Sequence, residues 1–421
     1  MTNRLSNSRS TGAVSRSLFA PWANVDLLLF GFAIALTLIA GITIRSTQNA
    51  QPYTDWWQHW VTGGVGLTIA LAIARWRYEN LRQWHWIVYI LTIASLLAVK
   101  AIGTVGLGAQ RWISIGGFNI QPSEFAKVGA IITLAAMLEG RNSSQMPEVV
   151  KALVTIGVPW GLIFLQPDLG TSLVFGAIAL GMLYWANVNP GWLILMVSPL
   201  VSAILFSLVL PAWFVWVAAM TVVAWLSLPK RWLSAAVVLA IELVSGRLGI
   251  MLWDLLKDYQ KDRLILFLDP SQDPLGGGYH LIQSRIAIGA GELWGRGLQM
   301  GTQTQGGFIP EQHTDFIFSA VGEEMGFIGC AIVLGLFWLV CLRLTIVAQN
   351  AKDNFGSLIA IGVLSMVFFQ VTVNVSMTIG LAPVTGIPLP WMSYGRSALL
   401  TNFIAIGLVG SVSNFRQRLK F

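Results

Sequence analysis

The stretch that decides the fold spans residues 169–229 and reads LGTSLVFGAIALGMLYWANVNPGWLILMVSPLVSAILFSLVLPAWFVWVAAMTVVAWLSLP. It contains no Asp, Glu, Lys or Arg. A helix needs about 20 apolar residues to cross the hydrocarbon core of a membrane, so this stretch is long enough for three spans. It is expected to break at Asn187-Val188-Asn189-Pro190 and at Pro211. We therefore predict a polytopic membrane protein.

The composition of the whole chain agrees with this interpretation. Of 421 residues, 55% are hydrophobic and 11% are charged, whereas a soluble domain carries about 25% charged residues. This deficit excludes an ordinary cytosolic enzyme, a coiled coil and a disordered chain. We do not take the net charge of +7 as a sign of nucleic-acid binding, because the basic residues of a membrane protein first report its orientation. No nucleic-acid partner is expected.

Apolar runs on both sides of the opening stretch predict an all-α fold: a polytopic integral membrane helical bundle of about twelve transmembrane helices with a long extracytoplasmic loop. Residues 1–25 are expected to form a cytoplasmic N-terminal tail, and residues 26–421 a single transmembrane domain whose long outer loop covers about 255–315. The twelve predicted spans are roughly 26–44, 58–74, 84–102, 122–138, 151–165, 170–186, 191–210, 212–228, 233–254, 316–342, 355–380 and 397–414.

Orientation follows from the Lys and Arg residues, because short cytoplasmic loops carry an excess of them. With twelve spans, the basic groups fall on one side of the membrane, and both termini are expected in the cytoplasm. The N-terminal tail has no small-residue cleavage site after a short apolar core, so it is not a signal peptide. The basic groups lie at 4–16, 75–82, 141–151, 230–231, 343–352 and 416–420.

His313-Thr314-Asp315-Phe316 lies where the long outer loop re-enters the membrane. Thr314 is expected to cap the next helix, with Asp315 in the first turn, where the helix dipole favours a negative charge. A carboxylate at the membrane boundary is also a candidate general base or electrostatic stabiliser. The two interpretations are compatible, since a cap would fix the carboxylate in place.

Glu124 and Lys127 open the fourth predicted span within the sequence Gln-Pro-Ser-Glu-Phe-Ala-Lys, and they are neighbours at i and i+3 on a helix. Inside a membrane or at its edge, neither charge is stable unless it is paired. The pair is either a structural ion pair, or it presents Lys127 to an anionic head group.

Two further charges lie in outer turns. Asp168 stands between Pro167 and Gly170 and is expected to cap a tight turn with its side chain. Arg111 is a candidate phosphate ligand, and the alternative is that it stacks on Trp112.

The long outer loop carries basic residues on the side where short loops avoid them, among them Arg263 and Arg285. Either a long loop translocates regardless of charge, or this loop binds an anion. Residues 279–288 are predicted to form a short helix with Arg285 near one face. That helix either lies on the membrane surface or packs within the loop.

Four motifs together make the chain similar to a known family. They are Gly-Ala-Gln-Arg-Trp-Ile at 108–113, Gln-Pro-Ser-Glu at 121–124, Gln-Pro-Asp-Leu-Gly-Thr at 166–171 and His-Thr-Asp-Phe-Ile-Phe at 313–318. On these motifs the chain resembles the SEDS (shape, elongation, division, sporulation) family of bacterial membrane proteins. Within that family, Gly-Tyr-His at 278–280 followed by Gly-Thr-Gln-Thr-Gln at 301–305 resembles the elongation-type members more than the division-type members.

The resemblance implies a peptidoglycan glycosyltransferase that polymerises lipid II on the outer face of the bacterial cytoplasmic (inner) membrane during cell elongation. It implies that Asp315 is the catalytic residue and that Glu124 and Lys127 form an important pair. The expected substrate-binding residues are Arg111, Lys127, Glu124, Arg263, Arg285, His313 and Asp168.

The resemblance also implies partners: a class B penicillin-binding protein that supplies the transpeptidase, and other membrane proteins of the elongation complex. No cofactor is certain, no metal ligands are assigned, and a divalent cation such as Mg²⁺ is left open. Two features depart from the family pattern. The chain has Gly395-Arg396-Ser397 where Gly-Gly-Ser is usual, and it has an extra helix pair within about 191–254.

Three alternatives stay open at this point. The many spans and the charged residues within them are also found in a lipid II flippase or another transporter, but no internal inverted repeat is evident. A division-type polymerase would share the same motifs. A non-catalytic scaffold for the wall-synthesis complex would need none of the charges.

Overall fold

The computed structural model describes residues 24–48, 55–106, 109–116, 118–140, 145–255, 258–274, 276 and 278–416. Apart from Asn24 and Val25, the predicted N-terminal tail lies outside these residues. The first half of the bundle consists of six long helices with a three-stranded antiparallel sheet between the third and the fourth. These elements are α1 (Leu27–Thr47), α2 (Trp56–Arg75), α3 (Glu79–Ile102), β1 (Thr104–Gly106), β2 (Ala109–Ile115), β3 (Phe118–Ile120), α4 (Pro122–Leu138), α5 (Met146–Phe164) and α6 (Leu169–Trp185).

The opening stretch forms α6 and the next two helices, α7 (Pro190–Leu208) and α8 (Leu210–Ser227), and α9 (Arg231–Leu255) follows. The breaks fall where the sequence predicted them, because a proline lies within the first two positions of both α7 and α8 and is tolerated there. The three helices predicted within 191–254 are therefore present between α6 and the outer loop.

The long outer loop contains α10 (Asp258–Leu268), α11 (Tyr279–Ala290) and α12 (Thr302–Gln305). The chain then continues with α13 (Ile317–Gln349), α14 (Asn354–Ile379) and α15 (Arg396–Asn414). Each of the twelve predicted spans is thus a helix. Among the described residues, nine helices are long and apolar enough to cross a membrane by length and composition, and α6 is a shorter apolar helix.

Two polar contacts fix the register of α1 against the antiparallel α13. At one end, Asp26 Oδ2 accepts a hydrogen bond from Arg343 Nη2 at 2.5 Å. At the other end, the Ser46 hydroxyl donates to the Glu324 carboxylate. A kink at Gly326, whose φ is +66°, separates the segment of α13 that carries Glu324 from the longer segment that carries Arg343.

The main core joins most of the helices in one hydrophobic cluster, and α2 packs closely along α15. A Cβ added at Gly407 of α15 would lie 2.7 Å from the Ala70 Cα of α2, so only glycine permits this approach. Small residues at such crossings are how membrane helices pack, because lipid supplies no hydrophobic force between them.

Helices α7, α8 and α9 form a smaller cluster of their own. Between α6 and this cluster lies an open apolar cleft of about 530 Å³. A buried carboxylate ties the three helices together: Glu242 Oε1 of α9 accepts from Ser198 Oγ of α7 at 2.5 Å, and Ser198 Oγ accepts from Trp216 Nε1 of α8 at 2.9 Å. Such interhelical bonds are worth about 0.6 kcal/mol on average in a membrane.

The outer helix predicted at 279–288 is α11, and it packs against α13 and α14. Its buried side is formed by Leu281, Ser284 and Ala287. Ser284 Oγ lies 2.6 Å from Ser319 Oγ of α13 and donates to the Thr378 carbonyl of α14, also at 2.6 Å. Arg285 lies on the opposite, exposed side of α11.

Candidate functional site

Three outer segments meet at the chain just before α13. Tyr394 N donates to the His313 carbonyl at 2.8 Å, and Ser393 Oγ donates to the Thr314 carbonyl at 2.6 Å. From α14, Asn374 Nδ2 donates to the Asp315 carbonyl at 2.9 Å. These bonds hold the backbone of residues 313–315 against the α14–α15 loop, so the position of Asp315 is set by tertiary contacts.

The predicted helix cap at Thr314 is wrong. Helix α13 begins at Ile317, and Asp315 lies in the preceding turn, outside the first turn of the helix. The Thr314 hydroxyl points back and donates to the Glu311 carbonyl at 3.1 Å and to Glu311 Oε2 at 2.9 Å. The backbone of residues 313–315 is bonded to the α14–α15 loop and to α14, and α13 is capped at Phe316, two residues later than predicted.

The surroundings of Asp315 make its carboxyl a stronger proton acceptor than an ordinary aspartate. Burial, and then the negative charge of Glu311, raises the pKa of Asp315 to about 6, and Asp168 acts in the same direction. The guanidinium groups of Arg263 and Arg111 oppose this rise. Asp315 is therefore ionised at neutral pH, close to the pH at which a general base works best.

Gly386, in the loop between α14 and α15, forms the wall beside this carboxyl. A Cβ added to Gly386 would lie 3.4 Å from Asp315 Oδ2 and 3.8 Å from Arg263 Nη1, and its φ of +72° is one that L side chains rarely adopt. Glycine thus lets the loop backbone approach both charged groups. Arg263 is far from Asp315 in sequence, but the structure brings the two side chains to the same place.

Asp168 caps α6 as predicted: its Oδ1 accepts from Thr171 N at 3.3 Å. Arg111 binds the same turn, since it donates to the carbonyl oxygens of Gln166 and Pro167 and lies 3.9 Å from Asp168 Oδ1. Its position is therefore set by the 166–168 turn, and its charge reaches Asp315.

Glu124 and Lys127 form the predicted ion pair in the first turns of α4. Lys127 Nζ lies 2.8 Å from Glu124 Oε2, and the two side chains are only 1% and 2% exposed for Lys127 and Glu124 respectively. One turn above them, Gln121 Nε2 donates to Asp168 Oδ2 at 3.2 Å. The pair lies in the protein interior, one helical turn below the Asp168 turn.

The two remaining predicted residues differ in their placement. His313 lies beside Tyr394, with ring centroids 5.5 Å apart, and burial lowers the pKa of its imidazole. Arg285 is exposed beside Gly380 at the end of α14. Among the described residues, the charges that act on Asp315 are Glu311, Arg263, Asp168 and Arg111, so Arg285 lies apart from this group.

The sequence analysis missed Glu311 and assigned no role to Arg396. Glu311 has a φ of +52°, and such non-glycine backbone strain clusters at functional sites. Arg396, at the position that departs from the family pattern, donates to Gln58 Oε1 of α2 and lies 5.0 Å over the Phe118 ring of β3. Arg396 therefore links α15 to α2 and to the small sheet.

A metal site was left open by the sequence. Among the described residues, no group of three or more His, Cys, Asp or Glu side chains is placed to hold a metal ion. The charges beside Asp315 are two carboxylates and two guanidinium groups, an arrangement suited to a proton acceptor and an anion.

Comparison with known proteins places this chain in a family. The family FTSW_RODA_SPOVE, described as "Cell cycle protein", matches residues 20–227 and 211–418. The chain is 37% identical to the peptidoglycan glycosyltransferase MrdB of Escherichia coli K12, over 84% of this chain and 84% of that protein. It is 36% identical to the peptidoglycan glycosyltransferase RodA of Treponema pallidum, over 94% of this chain and 98% of that protein.

Solved structures have the same fold. A chain described under "Structural coordination of polymerization and crosslinking by a peptidoglycan synthase complex" is 28% identical, with a TM-score of 0.71, and the match covers 94% of this chain and 99% of that one. The rod shape determining protein RodA of Thermus thermophilus is 24% identical, with a TM-score of 0.62 and coverages of 94% and 99%.

Proposed function

This chain belongs to the FTSW_RODA_SPOVE family of cell cycle proteins, and we propose that it is a peptidoglycan glycosyltransferase that polymerises lipid II into glycan strands during cell elongation. The observation that carries the mechanism is the carboxyl of Asp315, which lies half-buried in the turn before α13, beside Gly386 and Arg263 and within reach of the charge of Arg111. This arrangement supplies a proton acceptor beside positive charge.

Asp315 acts as the general base. Its carboxylate takes the proton of the acceptor sugar's 4-hydroxyl while that oxygen bonds to the anomeric carbon of the donor. The bond from the anomeric carbon to the pyrophosphate breaks, and the lipid pyrophosphate leaves with the electron pair. The configuration at the anomeric carbon inverts, so one base and a stabilised leaving group are sufficient.

The basic residues balance the charge of the leaving group. Arg263 lies against Gly386 together with Asp315, and Arg111 is fixed on the 166–168 turn. Preorganised guanidinium groups of this kind stabilise charge that develops as the bond to pyrophosphate breaks. Arg285 and Lys127 lie apart from these two guanidinium groups, because Arg285 is exposed on α11 beside Gly380 and Lys127 is buried in α4 with Glu124.

The partner is proposed from the relatives. A solved relative is a chain of a peptidoglycan synthase complex described as coordinating polymerization and crosslinking. We propose that this chain likewise assembles with a class B penicillin-binding protein, whose transpeptidase crosslinks the strands, and with other membrane proteins of the elongation complex.

Polymerisation of lipid II by the purified protein together with its transpeptidase partner tests the function directly. We expect glycan strands of many disaccharide units, resolved by gel electrophoresis. Movement of lipid II between the leaflets of vesicles, with no polymer formed, would instead indicate a transporter.

The multi-pass chain is proposed to lie in the cytoplasmic membrane with both termini in the cytoplasm. In this topology Lys230, between α8 and α9, faces the cytoplasm, because short cytoplasmic loops retain basic residues. A Lys230→Cys variant is expected to resist an impermeant thiol reagent added to intact cells and to react after permeabilisation. Gln272→Cys, in the long outer loop, is the control that should react in intact cells, and labelling at 230 without permeabilisation would contradict the topology.

A further inference from the structure

Glu311 has an unusual backbone conformation that its neighbours hold in place. Its φ is +52°, in the left-handed region. Its carbonyl accepts from Thr314 N at 3.2 Å and from Phe316 N at 3.3 Å. The Thr314 hydroxyl, 2.9 Å from Glu311 Oε2, holds the side chain as well. The turn therefore closes around residues 312–315 and holds the Glu311 carboxylate against Thr314, the residue before Asp315.

We propose that Glu311 is a positioning residue for polymerisation: its carboxylate, held by Thr314 in the turn that also contains Asp315, makes Asp315 a better acceptor for the proton of the acceptor hydroxyl. This inference rests on the proposed function. The proton moves from the acceptor hydroxyl to the Asp315 carboxylate, and Glu311 neither takes that proton nor contacts a reacting atom.

Among the charges around Asp315, Glu311 contributes most to the increased proton affinity of its carboxyl. After burial, Glu311 is the largest cause of the raised pKa of Asp315, ahead of the opposing Arg263, the assisting Asp168 and the opposing Arg111. A nearby negative charge disfavours the ionised form of a carboxyl, so it makes that carboxyl a better proton acceptor.

The two histidines near Glu311 do not cancel its charge. Burial lowers the pKa of His313, although Glu311 acts to raise it. Burial also lowers the pKa of His280, with Arg263 adding to the fall and Glu311 opposing it. Both imidazoles are therefore neutral at neutral pH, and the negative charge of Glu311 acts on Asp315 without a cationic histidine beside it.

The test is the pH profile of polymerisation for Glu311→Gln, which removes the charge and keeps the shape. We expect the acid limb to move to lower pH by roughly 0.5–1 unit, because the pKa of Asp315 falls when the neighbouring charge is removed. We expect the rate on the plateau to fall a few-fold, since a weaker base takes the proton less readily. A rate lowered by one factor at every pH, with an unmoved midpoint, would overturn the proposal.

Matched variants separate this role from simple disruption of the turn. Glu292→Gln makes the same charge change at another outer-loop residue with a left-handed backbone, φ +48°, and should leave the profile unchanged. Thr314→Val should move the acid limb in the same direction as Glu311→Gln, whereas Thr314→Ser should keep the wild-type profile. If Glu311→Gln does not fold, Glu311→Gly removes the charge and suits the positive φ.

An infrared titration of the protonated carboxyl band that Asp315→Asn removes reads the same midpoint without activity. We expect Glu311→Gln to lower this midpoint as well. If Glu311→Gln lowers the midpoint but the wild-type protein makes no polymer, the proposed function is overturned. If the wild-type protein makes polymer and Glu311→Gln leaves the midpoint unmoved, the inference alone is overturned.

Discussion

Asp315→Asn is expected to fold, to bind its transpeptidase partner and to lose polymerisation by roughly 10²-fold or more. The asparagine keeps the shape of the side chain, and the backbone bond from Asn374 to the carbonyl of residue 315 does not depend on the carboxyl. What is lost is the ability to accept the proton of the acceptor hydroxyl. Glycan polymer formed by the purified complex, measured against wild type, checks this.

The pH dependence of the wild-type polymerisation rate also reports the protonation of the Asp315 carboxyl. Because the pKa of Asp315 is raised to about 6, the ionised form that acts as base is lost as the pH falls through that value. The rate is therefore expected to rise with pH across this range and to level off above it. If the residual activity of Asp315→Asn does not rise with pH in this range, the rise seen in wild type is due to ionisation of Asp315.

Two substitutions test whether polymerisation requires a carboxylate at the exact position of Asp315. Asp315→Glu should retain little activity, because one additional methylene displaces the carboxylate from a wall formed by the Gly386 backbone. Asp262→Asn, at an exposed carboxylate of the same outer loop, should polymerise normally. Near-normal polymerisation by Asp315→Asn would show that the base assignment is wrong.

The helices of this fold follow from the sequence because the membrane imposes a simple length rule on apolar runs. The two prolines at the start of α7 and α8 mark their boundaries, and the extra helix pair was expected from them. The ion pair of Glu124 and Lys127 was also predicted, because residues at i and i+3 are neighbours on any helix.

The site was less predictable, because contacts between distant segments decide it. Local rules favoured Thr314 as a helix cap, but bonds from Ser393 and Tyr394 to the preceding backbone override them. Periodicity gives no sign that Arg263 and Gly386 meet beside Asp315. The strained turn at Glu311 is stabilised by its own hydrogen bonds with residues 314 and 316, and no sequence pattern that we identified predicts it.

Lys127→Ala is expected to destabilise the protein strongly and to abolish activity. The variant leaves the Glu124 carboxylate buried without its partner, and breaking one side of a buried ion pair costs about 3–5 kcal/mol. Removing both charges in Glu124→Gln/Lys127→Met should cost less, because no uncompensated charge stays in the interior. Thermal unfolding in detergent measures the difference between the single and the double variant.

The polymerisation activity of the same variants then shows whether the Glu124–Lys127 pair is structural or acts on the substrate. If the pair only supports α4 below the Asp168 turn, the double variant should regain polymerisation along with stability. Lys151→Ala is the matched control, because Lys151 makes an i, i+3 pair with Glu148 at the same 2.8 Å while remaining exposed, and its loss should change neither stability nor rate. A double variant as stable as wild type but as inactive as Lys127→Ala would show that Lys127 acts on the substrate itself. In that case the charge buried one turn below Gln121 belongs to the binding path of the anionic lipid, and its pairing with Glu124 keeps it in place until the substrate arrives.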